Sequence, residues 1–297
     1  MRRAIAFIIV VVIGAAALYF AQKRQQSVPV NANPMVEVVA DVQRDVTRVP
    51  MRLTRISDEQ EIKIGKDLAA QYVLDQDTLN PEQEALQNYV RQVGGRLAVH
   101  AHRKLPYRFS IVVDSGMLNA FSLPGGHVFI GTGMLDLMTS EDELANVLGH
   151  EIEHIDHYHC VERFQVEAHM RNLHLDILGE LAQIPLSVWE IGYNKDQELE
   201  ADREGMHLAV ASGYSPYGAV DMFERFAKLH REYVIHAQSP EEELTDVAIQ
   251  GLSGYFRSHP LPSERIAQAN NIIAQEHWLD RKKLKPFKIE YEVKAGR

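Results

Sequence analysis

Ser140-Glu141-Asp142-Glu143-Leu144-Ala145-Asn146-Val147-Leu148-Gly149-His150-Glu151-Ile152-Glu153-His154-Ile155 is the stretch on which the fold of this chain turns. Ser140 followed three residues later by Glu143 is a capping box, which starts a helix at that point. Along it Leu144, Leu148, Ile152 and Ile155 form an apolar stripe for a core. His150 and His154, four residues apart, put two imidazoles on one face about one turn apart. That spacing suits two ligands of a tetrahedral zinc ion on a single element. Glu151 lies about 100° round the helix. There it can take a proton from a zinc-bound water and later pass it to a leaving amine.

A solvated His/Glu-rich helix face would read the same way, so a third ligand carries the decision. His157 and Cys160 occupy the positions where a metzincin has Gly and His, which excludes that subclass. Asn194 to Gly205 offers the other solution, a glutamate from a later helix. Glu198 and Asp202 are again four apart on one face. Glu198 can complete a set of two histidines and one glutamate, with the fourth position left for water. Asp202 is then placed to accept a hydrogen bond from a ligand imidazole and fix its tautomer. Glu200 points nearly opposite and reads as a surface carboxylate. His159 reads as a hydrogen-bonded core histidine and Cys160 as a small buried hydrophobe.

Upstream, Ser57 with Gln60 caps a helix that carries Ile62, Leu68 and Tyr72. Pro81 opens another, striped by Leu86, Tyr89, Val90, Val93 and Leu97. Arg108 to Val113 has strand composition. Asn119 to Leu123 and His127 to Ile130 flank the breaker Pro124-Gly125-Gly126, as in a hairpin, and together predict a small antiparallel sheet. His127 to Ile130 reads either as a sheet edge able to add an extended peptide or as an ordinary core hairpin. Beyond Ser140 the pattern is helical, broken near Pro185, at Gly213 to Pro216 and at His259 to Pro262. The predicted class is α+β, mainly helical.

The 297 residues are 45% hydrophobic and 24% charged, ordinary globular usage. A formal charge of −10 argues against non-specific nucleic-acid binding, which needs a basic face. Cys160 is the only cysteine, so the chain has no internal disulfide and no cysteine zinc cluster. Ala4 to Phe20 is uncharged between Arg2-Arg3 and Lys23-Arg24. It reads as a membrane anchor near the lower length limit, or as a signal peptide cleaved near Ala15-Ala16-Ala17. Either reading exports the rest of the chain.

The chain resembles the HtpX and CAAX-prenyl-protease family of zinc metallopeptidases, in its single-anchor, bacterial BepA/LoiP-like form. The resemblance rests on Ile56 to Glu61, Asn119 to His127, His150 to His154, Glu198 to Asp202 with Gly205, Gly213 to Pro216, and His259-Pro260 with Arg265. It implies a gluzincin-type metalloprotease domain behind an N-terminal membrane segment, with one zinc ion per chain on His150, His154 and Glu198. Glu151 and Asp202 would be the catalytic residues. The resemblance also implies that His259 can approach the metal, as a regulatory fourth ligand or as a stabiliser of the oxyanion. Tyr158 departs from the family, whose members often carry Arg there. The expected partition is signal-anchor or signal peptide over 1–24, linker over 25–50 and peptidase domain over 51–297. The expected function is hydrolysis of extended or misfolded polypeptides at the bacterial cell envelope, anchored in the inner membrane with the catalytic domain in the periplasm, or secreted there. A binding protein or chaperone on the same scaffold is the other reading, and it would have no need of Glu151.

Overall fold

The structure, a computed structural model, describes residues 56–73, 79–170, 193–236 and 262–287. The chain divides into two compact units, Met1–Thr54 and Arg55–Arg297, and every described residue belongs to the second. The expected membrane segment and linker therefore lie outside the described residues. Among those described, no helix is long and apolar enough to cross a membrane.

Two helices open the unit, α1 (Asp58–Val73) and α2 (Pro81–Ala98). Ser57 and Gln60 close the capping box at α1, and Asn80 with Gln83 forms another ahead of Pro81. Leu86, Tyr89, Val90, Val93 and Leu97 are all buried, as their spacing predicts. Each such side chain contributes about 1.5–3 kcal/mol of transfer free energy.

Strands β1 (Arg108–Val112), β2 (Ala120–Leu123) and β3 (His127–Gly131) form one sheet in the order β1-β3-β2. β2 and β3 pair antiparallel around the Pro124-Gly125-Gly126 turn, where Gly125 (φ 77°) and Gly126 (φ 98°) take a conformation that side chains resist. β1, however, pairs parallel with β3. The sheet is thus mixed rather than antiparallel, because the link from β1 crosses past β3 to place β2 on the far side. This corrects the edge reading as well. β3 is the central strand, and the edges are β1 and β2. Gln87 of α2 occupies the β1 edge, donating to Phe109 O (2.8 Å) and accepting from Ile111 N (3.0 Å).

A short α3 (Thr132–Leu137) leads to α4 (Glu141–Asp156), the helix of the opening stretch. Its Ser140–Glu143 capping box is formed. Leu144, Leu148, Ile152 and Ile155 are fully buried, but so is nearly every other residue of α4, the histidine face included. α4 is the central element, packed by α2, β2, α5 (His159–Met170), α6 (Lys195–Ala211) and α7 (Tyr217–His236). A break that the sequence pattern does not announce separates α4 from α5 at Tyr158, a non-glycine residue at φ 62°. The Arg103 guanidinium covers its ring at 3.8 Å. α8 (Pro262–Gln275) closes over α6 and α7. The break expected at Gly213 is present, with φ 82°; those near Pro185 and His259 fall outside the described residues.

α4 and α6 form the most extensive helix pair. Glycine makes their approach possible. A Cβ on Gly205 would lie 2.7 Å from His150 N and 2.9 Å from Gly149 C, both backbone atoms. Two helices in such contact bring the side chains one and two turns before Gly205 onto those of α4.

Candidate metal centre

Asp202 and Glu198 precede Gly205 on α6, and both are buried against α4. His150, His154 and Glu198 each offer one ligand atom, all within 4.8 Å of one another. The two imidazole Nε2 atoms face each other at 3.0 Å. The Glu198 carboxylate stands 3.6 Å from each of them, Oε2 toward His150 and Oε1 toward His154.

The other nitrogen of each ring is held from behind. His150 Nδ1 lies 2.8 Å from Asp202 Oδ1. Asp202 is gripped in turn by Arg265, through Nε (2.7 Å) and one terminal nitrogen (2.5 Å). Burial disfavours the charged form of Asp202, but the Arg265 guanidinium and the hydrogen bonds hold its carboxyl well below the usual carboxylate range. An ionised Asp202 only accepts, so a His150 proton sits on Nδ1, and Nε2 is the ring nitrogen that faces His154 and Glu198. His154 Nδ1 meets His159 Nδ1 at 2.9 Å, and the Tyr193 ring stacks on His154 at 3.8 Å.

A metal fits this arrangement. Two imidazole nitrogens and a carboxylate at 3.0–3.6 Å repel one another unless a cation or proton lies between them. Two nitrogens on one tetrahedral zinc stand about 3.3 Å apart, close to the spacing seen here.

Glu151 projects toward β2, where Ser122 donates its hydroxyl to Glu151 Oε2 (2.9 Å). Beneath Ser122 lies the Cys160 thiol, pushed up to about 12 by burial and so no nucleophile at neutral pH. Ser122 and Arg265 stand in stretches on which the family resemblance rests, but sequence reasoning gave neither a role, since a lone Ser on a strand and a lone Arg on a remote helix carry no spacing signal of their own. Glu200 corrects an expectation. It is half-buried, with Oε2 3.4 Å from His159 Nε2, and this contact lowers its carboxyl to about 2. His159, the first residue of α5, thus connects Glu200 to His154. His157 stands outside the ligand set, near Glu153 (3.4 Å) and Glu200 (3.7 Å). His259 lies outside the described residues.

The chelation geometry gives the first expected outcome. Asp202→Asn removes the charge that holds His150 and turns an amide toward Arg265, so metal affinity should fall about 10–100-fold. Competition with a chelating dye measures it; unchanged affinity would separate Asp202 from the metal.

Two histidines one turn apart on a buried helix, with a glutamate from a later helix and a further carboxylate beside the pair, are a donor set that could hold a metal ion, as a metallopeptidase requires. The profile of Peptidase family M48 matches residues 84–273, and the chain belongs to that family, whose members use a divalent metal. It is 28% identical over 206 residues to the beta-barrel assembly-enhancing protease of Escherichia coli O157:H7, covering 63% of this chain and 38% of that one. To the mitochondrial metalloendopeptidase OMA1 of Arabidopsis thaliana it is 26% identical over 195 residues, 63% of this chain and 34% of the relative. The mitochondrial metalloendopeptidase OMA1 of Bos taurus is 34% identical over 117 residues, 33% and 22% of the two chains. The chain spans less than half the length of these relatives.

Proposed function

We propose that this protein is a zinc-dependent endopeptidase that cleaves extended or misfolded polypeptides at the bacterial cell envelope. The observation that carries the reading is the convergence of His150, His154 and Glu198 within 4.8 Å, beside a carboxylate that is not one of the three. His150, His154 and Glu198 would hold one zinc ion. When bound, it supplies Lewis acidity to the scissile carbonyl.

The chain's own residues account for the remaining chemistry. Glu151 takes the proton from the attacking water and delivers it to the nitrogen of the departing strand. Ser122 holds one carboxylate oxygen of Glu151, which aims the other. Arg265 and Asp202 fix the His150 ring and its tautomer. Asp202 acts through His150, so its part is positioning. For His259 the reading is that of the resemblance, a closed-state fourth ligand or a donor to the oxyanion.

Envelope location is supported by the beta-barrel assembly-enhancing proteases among the relatives and by the apolar Ala4 to Phe20. Retention of that segment as an anchor, with the peptidase domain in the periplasm, belongs to the same proposal. The test is metal content and casein cleavage by the full chain, with and without a chelator, beside Glu198→Ala. The expected result is one zinc per chain, cleavage lost on chelation and restored by zinc, and a Glu198→Ala protein that neither retains zinc nor cleaves. Cleavage undiminished after the metal has been stripped would overturn the reading.

A further inference from the structure

The last turn of α4 carries two carboxylates that the metal centre does not use, Glu153 and Asp156. Three residues apart, they share one face of the helix. Both are buried, at 1% and 7% exposure. Acids are disfavoured there on two counts. Burial penalises an ionised carboxylate, and the C-terminal end of a helix presents the negative end of its dipole. A cation in contact with the pair would offset both costs.

The chain's own cations answer that charge only in part. The Arg103 guanidinium is turned to Asp58, Glu61 and Ile155 O. Lys104 Nζ donates to Val99 O (3.3 Å) and Ala101 O (2.8 Å). His157 Nε2 stands 3.4 Å from Glu153 Oε2, yet that buried oxygen has no hydrogen-bond partner.

Asp156 brings a third donor to the place. It accepts from the backbone N–H of His102 (2.6 Å) and of Arg103 (3.2 Å), and from the Tyr107 hydroxyl. These bonds hold the link between α2 and β1 against the end of α4 and set the His102 imidazole beside the carboxylates. His102 Nδ1 is 3.7 Å from Asp156 Oδ2. His102, Glu153 and Asp156 each offer one donor atom, all within 4.8 Å of one another. The His102 side chain is 81% exposed, so it can turn to close the remaining gap without disturbing the core.

We propose that His102, Glu153 and Asp156 form a second metal site, separate from the centre at His150, His154 and Glu198, and that it takes zinc. One imidazole nitrogen with two carboxylate oxygens is a zinc-type donor set, with water left to complete the shell. Calcium and magnesium, which take oxygen ligands, suit it poorly. Metal there pins the α2–β1 link to the end of the helix that bears His150 and His154. The site is weaker than that centre, because Asp156 is already engaged by three donors and His102 must be ordered from solvent. A chain isolated with one zinc therefore takes up a second when zinc is added. Occupancy of this site does not depend on peptidase activity.

Titration calorimetry of the full chain with zinc chloride tests the site. Beyond the first zinc, the parent should show one further saturable event and a higher thermal midpoint. His102→Ala, at an exposed position, should keep the first zinc and cleavage, while affinity for the second falls by at least about tenfold. Glu153→Gln should weaken the same event; if that variant does not fold, His102→Ala decides. Glu198→Ala should lose the tight site and keep the weak one. The His102 ring resonance, assigned by its absence from His102→Ala, should shift as the second zinc binds. No further event in the parent, an event unchanged in His102→Ala, or one that calcium reproduces would overturn the site. A parent that binds no zinc at His150, His154 and Glu198 would overturn the peptidase reading instead, and the His102-dependent event would still decide this site.

Discussion

Glu151→Gln should leave the metal in place and reduce peptide hydrolysis by about 10²–10⁴-fold, the usual worth of general acid–base catalysis. The substitution is nearly isosteric. Glu151 Oε2 accepts a hydrogen bond from Ser122 at 2.9 Å, and the amide oxygen of glutamine can accept the same bond. Position and packing are therefore retained, and the loss falls on proton transfer. Glu151 is not among the three ligand donors, so zinc content and thermal midpoint should match the parent. The measurement is initial rates on one peptide beside metal analysis of the same samples. Turnover equal to the parent would remove Glu151 as the base. Loss of zinc together with turnover would instead make it part of the metal's support.

The second large effect is expected far from any reacting atom. Gly205→Ala puts a methyl carbon 2.7 Å from His150 N and 2.9 Å from Gly149 C, where no flexible side chain can move aside. One helix must shift. Overpacking of this kind costs about 1–3 kcal/mol. At about 2–4 °C per kcal/mol for a domain of this size, the thermal midpoint should drop by about 2–12 °C. The shift also carries Glu198 and Asp202 away from the histidines, since all three α6 positions lie within two turns. Metal affinity should fall in the same variant, although Gly205 bears no ligand atom. Calorimetry with and without zinc separates the two losses. A variant as stable as the parent, with the same zinc affinity, would mean that the α4–α6 approach does not set the centre.

Much of this protein is written in its sequence, and the reasons are local. Capping boxes at Ser57 and Ser140 act within four residues, so the starts of α1 and α4 can be read directly. The apolar stripes of α2 and α4 follow from 3.6-residue periodicity. The turn at Gly125-Gly126 follows from a conformation that glycine tolerates. His150 and His154 share a face because they share a helix, which is a property of spacing alone.

Only the tertiary structure decided the rest. The partners of β1 depend on how a crossover runs, and nothing in Arg108 to Val112 states whether it pairs parallel. That crossover moved the sheet edge from β3 to β2 and set Ser122 against Glu151. Glu200 reads as a surface carboxylate on its own helix; His159, the residue after the break at Tyr158, comes to it from α5. Arg265 reaches Asp202 across 63 residues. Spacing along one helix fixes what that helix can offer. Which offers meet is set by how closely backbones approach, and here by the glycines that let α4 and α6 touch.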